Sequence, residues 1–314
     1  MKHFPPCLTA VLIGCALAAP VVAIAGPTVG LDVSGHGAYN IYSDLWTNAT
    51  DTGLATGFIP GKHVGPGAAA PYLTELRTQS VVGTMYNTNL PGFVTPSGLN
   101  SSFEISKVVR FQELVDAQNA TTAHFTLPAT QSAAMDVDSA HAGVQNFAVF
   151  IDRIKPGTGS SAAKPGDGAN TVRCYGEGAT SVGCGRNAGD TDGDGHMIMS
   201  GHLISHEASF ASSGAALGTG SFDSQFMIDY VDPAYLDIVT GSIVQDKFTG
   251  TTNVPTFFKP KTIWDGTTPT TVPFFKVDSS QSFVSTAVPE PATLALMGIG
   301  LAGLALGRRR HTQC

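Results

Sequence analysis

The sequence predicts an all-β protein whose body is an antiparallel β-sandwich with long loops rich in glycine, proline and threonine. Runs of β-branched and aromatic residues alternate with polar ones, and turn pairs such as Pro60-Gly61 and Pro91-Gly92 separate them. Helical spacing is scarce, and a fold of alternating strands and helices would need helices between its strands. We therefore expect many short strands joined by turn-rich connections.

Eight runs in the body have the alternation or the β-branched and aromatic content of strands. One short stretch, residues 111–117, has the spacing of a helix. The predicted strands are residues 39–46, 73–85, 103–111, 144–151, 196–204, 222–231, 236–244 and 271–277.

The body occupies residues 26–288, long enough for one large β domain or two small ones. Charged residues make up only 13% of the chain and the net charge is −7. A protein that binds nucleic acid would carry a basic patch, so this function class is excluded.

Residues 155–195 differ from the rest of the body, because they are rich in glycine and proline and lack strand patterns. We interpret them as a long loop or as a boundary between two β subdomains. This segment contains Cys174 and Cys184, the two cysteines of the body. Two cysteines predict one disulfide if the chain reaches an oxidising compartment, with a reactive thiol as the alternative.

The same segment ends in a carboxylate motif with Asp190, Asp192 and Asp194 at alternate positions before Gly195. This spacing matches the first half of a calcium-binding loop, since calcium prefers several oxygen ligands. The twelfth loop position is Gly201, where a bidentate glutamate is usual. Calcium is therefore one interpretation, and a polar turn is the other.

Three histidines follow within one predicted strand, His196, His202 and His206, and Glu207 comes next. Zinc could bind His202 and His206 on a helix, but the segment alternates like a strand. We expect scattered surface histidines here. The sequence contains no serine elbow and no phosphate-binding loop, and no spacing selects a catalytic pair among its glutamates.

The N-terminus, residues 1–25, has the form of a signal peptide with a helical apolar stretch. A short basic start precedes an apolar run, and Ala23 and Ala25 give the small-x-small pattern of a cleavage site. The alternative is a lipoprotein acylated at Cys15, but this would leave the better cleavage site unused.

The C-terminus, residues 289–314, begins with Pro289, Glu290 and Pro291. An apolar stretch over residues 292–307 follows, about 24 Å long as a helix, and is a marginal membrane span. Arg308, Arg309 and Arg310 then favour a cytoplasmic end. A plain tail anchor is the alternative to a removable signal.

This order of motif, weak span and arginines resembles the PEP-CTERM sorting signal. The resemblance implies that exosortase, a membrane protease of Gram-negative bacteria, reads the three motif residues and removes the span. It implies a cell-surface or extracellular-matrix location after transient anchoring in the inner membrane, and signal peptidase would process the other end.

The body is also loosely similar to flocculation-associated PEP-CTERM proteins, through its cysteine pair, Met199-Ser200-Gly201 and residues 274–284. This similarity implies a structural or adhesive protein of biofilms and flocs, without catalytic activity, whose partners are exopolysaccharide or other surface proteins. The alternatives are a calcium-dependent carbohydrate-binding module and a secreted polysaccharide-active enzyme.

Overall fold

The fold is all-β, and its main feature is one closed, barrel-like antiparallel sheet. A computed structural model describes residues 28–90, 93–100, 102–131, 145–153, 196–212, 217–253, 274–276 and 279–284. The described residues contain no helix, so none there is long and apolar enough to cross a membrane. The strands are β1 (Val29–Leu31), β2 (Ile41–Ser43), β3 (Leu45–Thr56), β4 (Tyr72–Tyr86), β5 (Phe103–Gln118), β6 (Thr122–Thr126), β7 (Phe147–Arg153), β8 (His196–Ser212), β9 (Leu217–Val231), β10 (Leu236–Asp237), β11 (Ile243–Asn253), β12 (Phe274–Lys276) and β13 (Ser280–Val284).

The large sheet has eight wall positions, because two of them are each shared by two short strands. The order around the wall is β3, β4, β5, β6 with β7, β8, β9, β11, and β12 with β13. The sheet closes where β3 pairs with β4 on one side and with β13 on the other. The all-β prediction is confirmed, but a single closed sheet replaces the two facing sheets of the predicted sandwich.

The barrel interior is filled by side chains, as is usual for eight strands. Alternate residues of each strand point inward, and the large apolar ones form a main core cluster and a smaller one around Val115 and Phe125. On β5 these inward positions include Ile105, Val109, Phe111 and Val115. The predicted helix at residues 111–117 is therefore wrong, since this stretch continues β5.

A second sheet of three short strands, in the order β10-β1-β2, covers one end of the barrel. We call this end the cap end and the opposite one the far end. Val29, Leu31 and Leu236 of this sheet are buried in the same core cluster as Trp46 and Phe283. The predicted strand at 236–244 is thus two strands, which a turn with Gly241 at φ 84° separates.

Asp32 organises the loop between β1 and β2 at the cap end. Its carboxylate accepts hydrogen bonds from the backbone N–H groups of Ser34, His36 and Ala38 and from the Ser34 hydroxyl. Burial alone would raise the pKa of Asp32, but these hydrogen bonds outweigh it and hold the pKa well below its usual range. The loop is therefore fixed around an ionised carboxylate.

The wall position between β5 and β8 is completed by side-chain amides. β6 occupies its far-end part and β7 its cap-end part. Between them, Asn146 donates from Nδ2 to the Arg110 carbonyl and accepts from Leu203 N–H at 3.0 Å. The Gln131 side chain donates from Nε2 to the Gln112 carbonyl and accepts from the Gln112 N–H, both at 2.9 Å. The two amides thus replace the backbone of a missing stretch of strand.

Candidate functional site

An open cavity of about 850 Å³ lies at the far end, beside the β5–β6 hairpin and the adjoining ends of β8 and β9. The strand register sets its wall, because His124 lies opposite Ser209 and Ser209 lies opposite Ser221. The lining residues are Val64, Ala117, Gln118, Asn119, Thr122, Ala123, His124, Ser209, Phe210, Ala211, Thr219, Gly220 and Ser221.

The lining is more apolar than polar and nearly uncharged. It contains hydroxyl and amide side chains, one aromatic ring at Phe210 and one histidine, and none of its residues is Asp, Glu, Lys or Arg. The Ser209 and Ser221 hydroxyls are 3.0 Å apart and exposed. Such a surface offers hydrogen bonds and apolar contact without strong charge selectivity.

The hairpin and a neighbouring loop fix the shape of this cavity. The Asn119 side chain accepts hydrogen bonds from the backbone N–H groups of Thr121 and Thr122, both at 2.8 Å, and this closes the turn. The backbones of Val64 and Gln118 exchange two hydrogen bonds, of 2.8 and 3.1 Å. The cavity is therefore formed by backbone that is already held in place.

His124 is the titratable group of the cavity. Its Nδ1 is 2.7 Å from Asp116 Oδ1, and its Nε2 is 3.6 Å from Glu207 Oε1. The hydrogen bond to Asp116 raises the pKa of His124, although partial burial opposes the shift. The protonated ring is thus favoured between two carboxylates on the outer face of the sheet.

A second polar group lies inside the barrel, around His206. Its Nε2 is 2.9 Å from Glu113 Oε1, and its Nδ1 is 2.8 Å from Ser224 Oγ. Thr74 donates to the other oxygen of Glu113, at 3.3 Å. Both ring nitrogens of His206 therefore have a hydrogen-bond partner inside the barrel.

Serine, histidine and glutamate also form the hydrolase triad, but this group lacks the access that catalysis needs. The His206 side chain is 0% exposed, and Glu113 and Ser224 are buried. A nucleophilic serine must meet substrate beside oxyanion donors. The buried geometry supports a structural role, in which each polar group satisfies another.

Lys107 and Asp246 form a buried ion pair in the same interior, with Nζ 2.5 Å from Oδ2. The other carboxylate oxygen, Asp246 Oδ1, has no hydrogen-bond partner among the described residues. Neither polar atom of the neighbouring Gln281 side chain has one there either. Unsatisfied buried polar atoms are uncommon and costly, so this layer of the core is less stable than an apolar one.

The histidines of β8 do not gather around a metal. A register shift between Leu203 and Ser205 places His202 on the outer face and His206 inside, although they are four residues apart. His202 pairs with Asp229, and His196 pairs with Asp232. No group of three or more possible metal ligands occurs among the described residues.

The other predicted site residues lie outside the described residues. The disulfide, the calcium loop and signal cleavage therefore stay predictions, and so do the terminal helices. These residues are Cys174, Cys184, Asp190, Asp192, Asp194, Ala23, Ala25, Pro289, Glu290, Pro291, Arg308, Arg309 and Arg310.

Sequence reasoning did not find the cavity or the internal polar group. The cavity is assembled from serine, threonine and alanine on four segments, and no short motif marks it. The internal group left a weak signal, because Lys107 and Glu113 stand at the alternate positions of β5 that are otherwise apolar, from Phe103 to Val115. Charged residues are rarely buried unless they are paired.

Comparison with protein-family models indicates how the chain is exported and processed. A family model described as the PEP-CTERM protein-sorting motif matches residues 287–310. The chain carries a PEP-CTERM sorting motif. This confirms the resemblance of the C-terminal residues, and it identifies the protein as an exported exosortase substrate of the cell surface or extracellular space.

Neither the curated proteins nor the solved structures contain a significant match to this chain. The motif covers 24 residues, and the barrel-like body lies outside the match. The role of the body must therefore be argued from its own geometry.

Proposed function

We propose that this PEP-CTERM protein is a non-catalytic adhesive component of the surface or matrix of a Gram-negative bacterium. It binds exopolysaccharide through the far-end cavity and thereby promotes aggregation, flocculation or biofilm formation. Signal peptidase removes residues 1–25, and the C-terminal span anchors the chain in the inner membrane until exosortase cuts it. Other surface proteins are its alternative partners.

The composition of the cavity lining carries this proposal. A neutral sugar chain presents many hydroxyl groups and small apolar patches, and the lining offers hydroxyls, amides and the Phe210 ring. A glycosidase would place two carboxylates in its cleft, usually about 5–10 Å apart. No lining residue of this cavity carries a carboxylate, and the two acids beside it, Asp116 and Glu207, are both paired with His124, which favours binding over hydrolysis there.

Weak contacts suffice for such a role. A few neutral hydrogen bonds contribute about 0.5–1.5 kcal/mol each, so one cavity would bind a polysaccharide weakly. A polysaccharide repeats its binding unit and a cell displays many copies of a surface protein. Avidity then raises the strength of attachment without new contacts.

The first test removes the two hydroxyls that face each other in the cavity. We expect Ser209→Ala with Ser221→Ala to weaken binding of purified exopolysaccharide by about 5- to 150-fold, as two lost hydrogen bonds predict. Calorimetric titration measures the affinity. The control is Ser205→Ala, an exposed serine of the same strand outside the cavity. Unchanged affinity in the double variant, with the fold intact, would remove the cavity from the proposal.

The same titration separates the rival functions. Calcium-dependent binding, abolished by Asp192→Ala, would favour the carbohydrate-binding module with a calcium loop at Asp190, Asp192 and Asp194. Release of reducing sugar ends at catalytic rates would favour an enzyme. Binding without either response supports the adhesive protein.

A further inference from the structure

Both ends of the described chain leave the barrel at the same end. β1 begins at Val29 in the three-stranded cap sheet, and Leu31 of this strand lies opposite Leu236. β13 ends at Val284, which lies opposite Ile243 at the start of β11. The neighbouring Phe283 N–H donates to the carbonyl of Asp44, just before β3 begins. The cap end is therefore where both terminal segments attach.

The distance to the sorting motif is short. The family match begins at residue 287, three residues after Val284, and the apolar stretch begins at residue 292. Eight extended residues span at most about 28 Å. While the apolar stretch is embedded, the cap end must therefore stay close to the membrane.

The cavity lies at the other end of the barrel, so it cannot also stay close to the membrane. β8 runs from the cap end to the far end over 17 residues. At about 3.3 Å per residue and a tilt of about 35–45°, this corresponds to about 40 Å along the barrel axis. A tether at the cap end thus separates the membrane from the cavity by the length of the barrel.

Exposed apolar side chains are concentrated at the cap end. Five of the seven large exposed hydrophobic residues among the described residues lie there, including Phe93 at 72% and Val239 at 75% exposed. The five are Tyr42, Leu90, Phe93, Val239 and Val284. The other two, Ile59 and Leu73, lie at the far end.

The cap sheet offers no basic residues to anionic lipid. Its strands β1, β2 and β10 contain neither lysine nor arginine, and Asp237 is exposed. Contact with a lipid surface would therefore depend on apolar side chains that enter the headgroup boundary, rather than on charge.

We propose that the cap end rests on the surface of the membrane that holds the unprocessed chain, with Phe93 and Val239 in the headgroup boundary. This proposal rests on the proposed anchoring of the C-terminal span. The cavity then points away from the membrane, and the sorting motif is held in the gap between barrel and lipid. Exosortase acts within this gap.

The test places one tryptophan at each end of the full chain with its tail intact. Val239→Trp reports on the cap end, and Leu73→Trp is the matched control at the far end. The chain is reconstituted in phosphatidylcholine vesicles whose acyl chains are brominated, because bromine quenches nearby tryptophan. The unsubstituted chain supplies the signal of the two natural tryptophans.

We expect the added fluorescence of Val239→Trp to be quenched at least twofold more than that of Leu73→Trp. Equal quenching at both positions, stronger quenching at position 73, or none at either position overturns the proposal. The measurement contains no polysaccharide. Failure of the cavity to bind sugar would therefore leave its result unchanged, and the two proposals can fail separately.

Discussion

Lys107 and Asp246 connect opposite walls of the barrel. Lys107 lies on β5 and Asp246 on β11, and four steps around the wall separate these strands in either direction. Both side chains are buried. Taking two charges out of water costs several kcal/mol each, so a pair of this kind contributes less to stability than its short distance suggests.

Removing one partner of the ion pair should therefore destabilise the fold more than removing both. We expect Lys107→Met to lower the free energy of unfolding by about 3–5 kcal/mol, because Asp246 would remain buried without its cation. Lys107→Met combined with Asp246→Leu should recover most of this loss. Urea unfolding of the three chains measures the difference. A double variant as unstable as the single one would show that the pair itself stabilises the barrel.

At the scale of the strand, side chains can take the place of a backbone ladder. Asn146 and Gln131 pair with backbone groups of β5 and β8 where β6 and β7 leave the shared wall position incomplete. Asn146 is buried, whereas Gln131 is half-buried. Water can replace the amide of Gln131 more easily than that of Asn146.

Replacing each amide by alanine should separate these two cases. Asn146→Ala would leave the Leu203 N–H and the Arg110 carbonyl without this partner, and we expect a loss of about 1–3 kcal/mol per buried group. Gln131→Ala should lower the free energy of unfolding by clearly less. Chemical unfolding gives both values, and hydrogen exchange at Leu203 N–H should accelerate in the Asn146 variant alone. Equal losses would contradict the difference in burial.

At the scale of the whole molecule, strands from both sides of residues 154–195 belong to one sheet. β7 precedes this segment and β8 follows it, and the two strands pair directly. The described strands on the two sides of this segment therefore belong to one sheet, and the division of the body into one or two domains stays a prediction.

A closed sheet should unfold as a unit. We expect a single thermal transition with the same midpoint in far-ultraviolet and near-ultraviolet circular dichroism. The near-ultraviolet signal reports on aromatic packing, including that of Trp46, whose ring is T-shaped to that of Phe283 with centroids 5.0 Å apart. Two separated transitions would indicate that parts of the body unfold independently.

The sequence predicted those features that local patterns encode. The alternation of β4, β8 and β9 was sufficient to place strands there, and β8 extends eight residues beyond its predicted end. β3 was missed beyond its first residues, because its Thr-rich sequence with Asn48, Asp51 and Gly53 resembles a loop. The helix prediction at 111–117 failed because Glu113 occupies an inward position, which hides the alternation of β5.

Closure of the sheet could not be predicted, because it depends on pairings distant in the chain. The same limit applies to the cavity, whose residues come from the hairpin, from β8 and β9 and from the loop that contains Val64. Only the sorting motif is contiguous, and it was recognised from its residues alone.

The pairing of β3 with β13 also determines when the chain can fold. The Asn48 and Ser279 side chains that meet there, at 2.6 Å, are separated by 231 positions. Relative to a ten-residue loop, this closure costs about 2.5–3 kcal/mol more in chain entropy, and distant contacts slow folding. During export, the barrel cannot close until the last strand has crossed the membrane, and only two residues separate Val284 from the sorting motif. The completion of folding and the arrival of the processing signal therefore coincide in time.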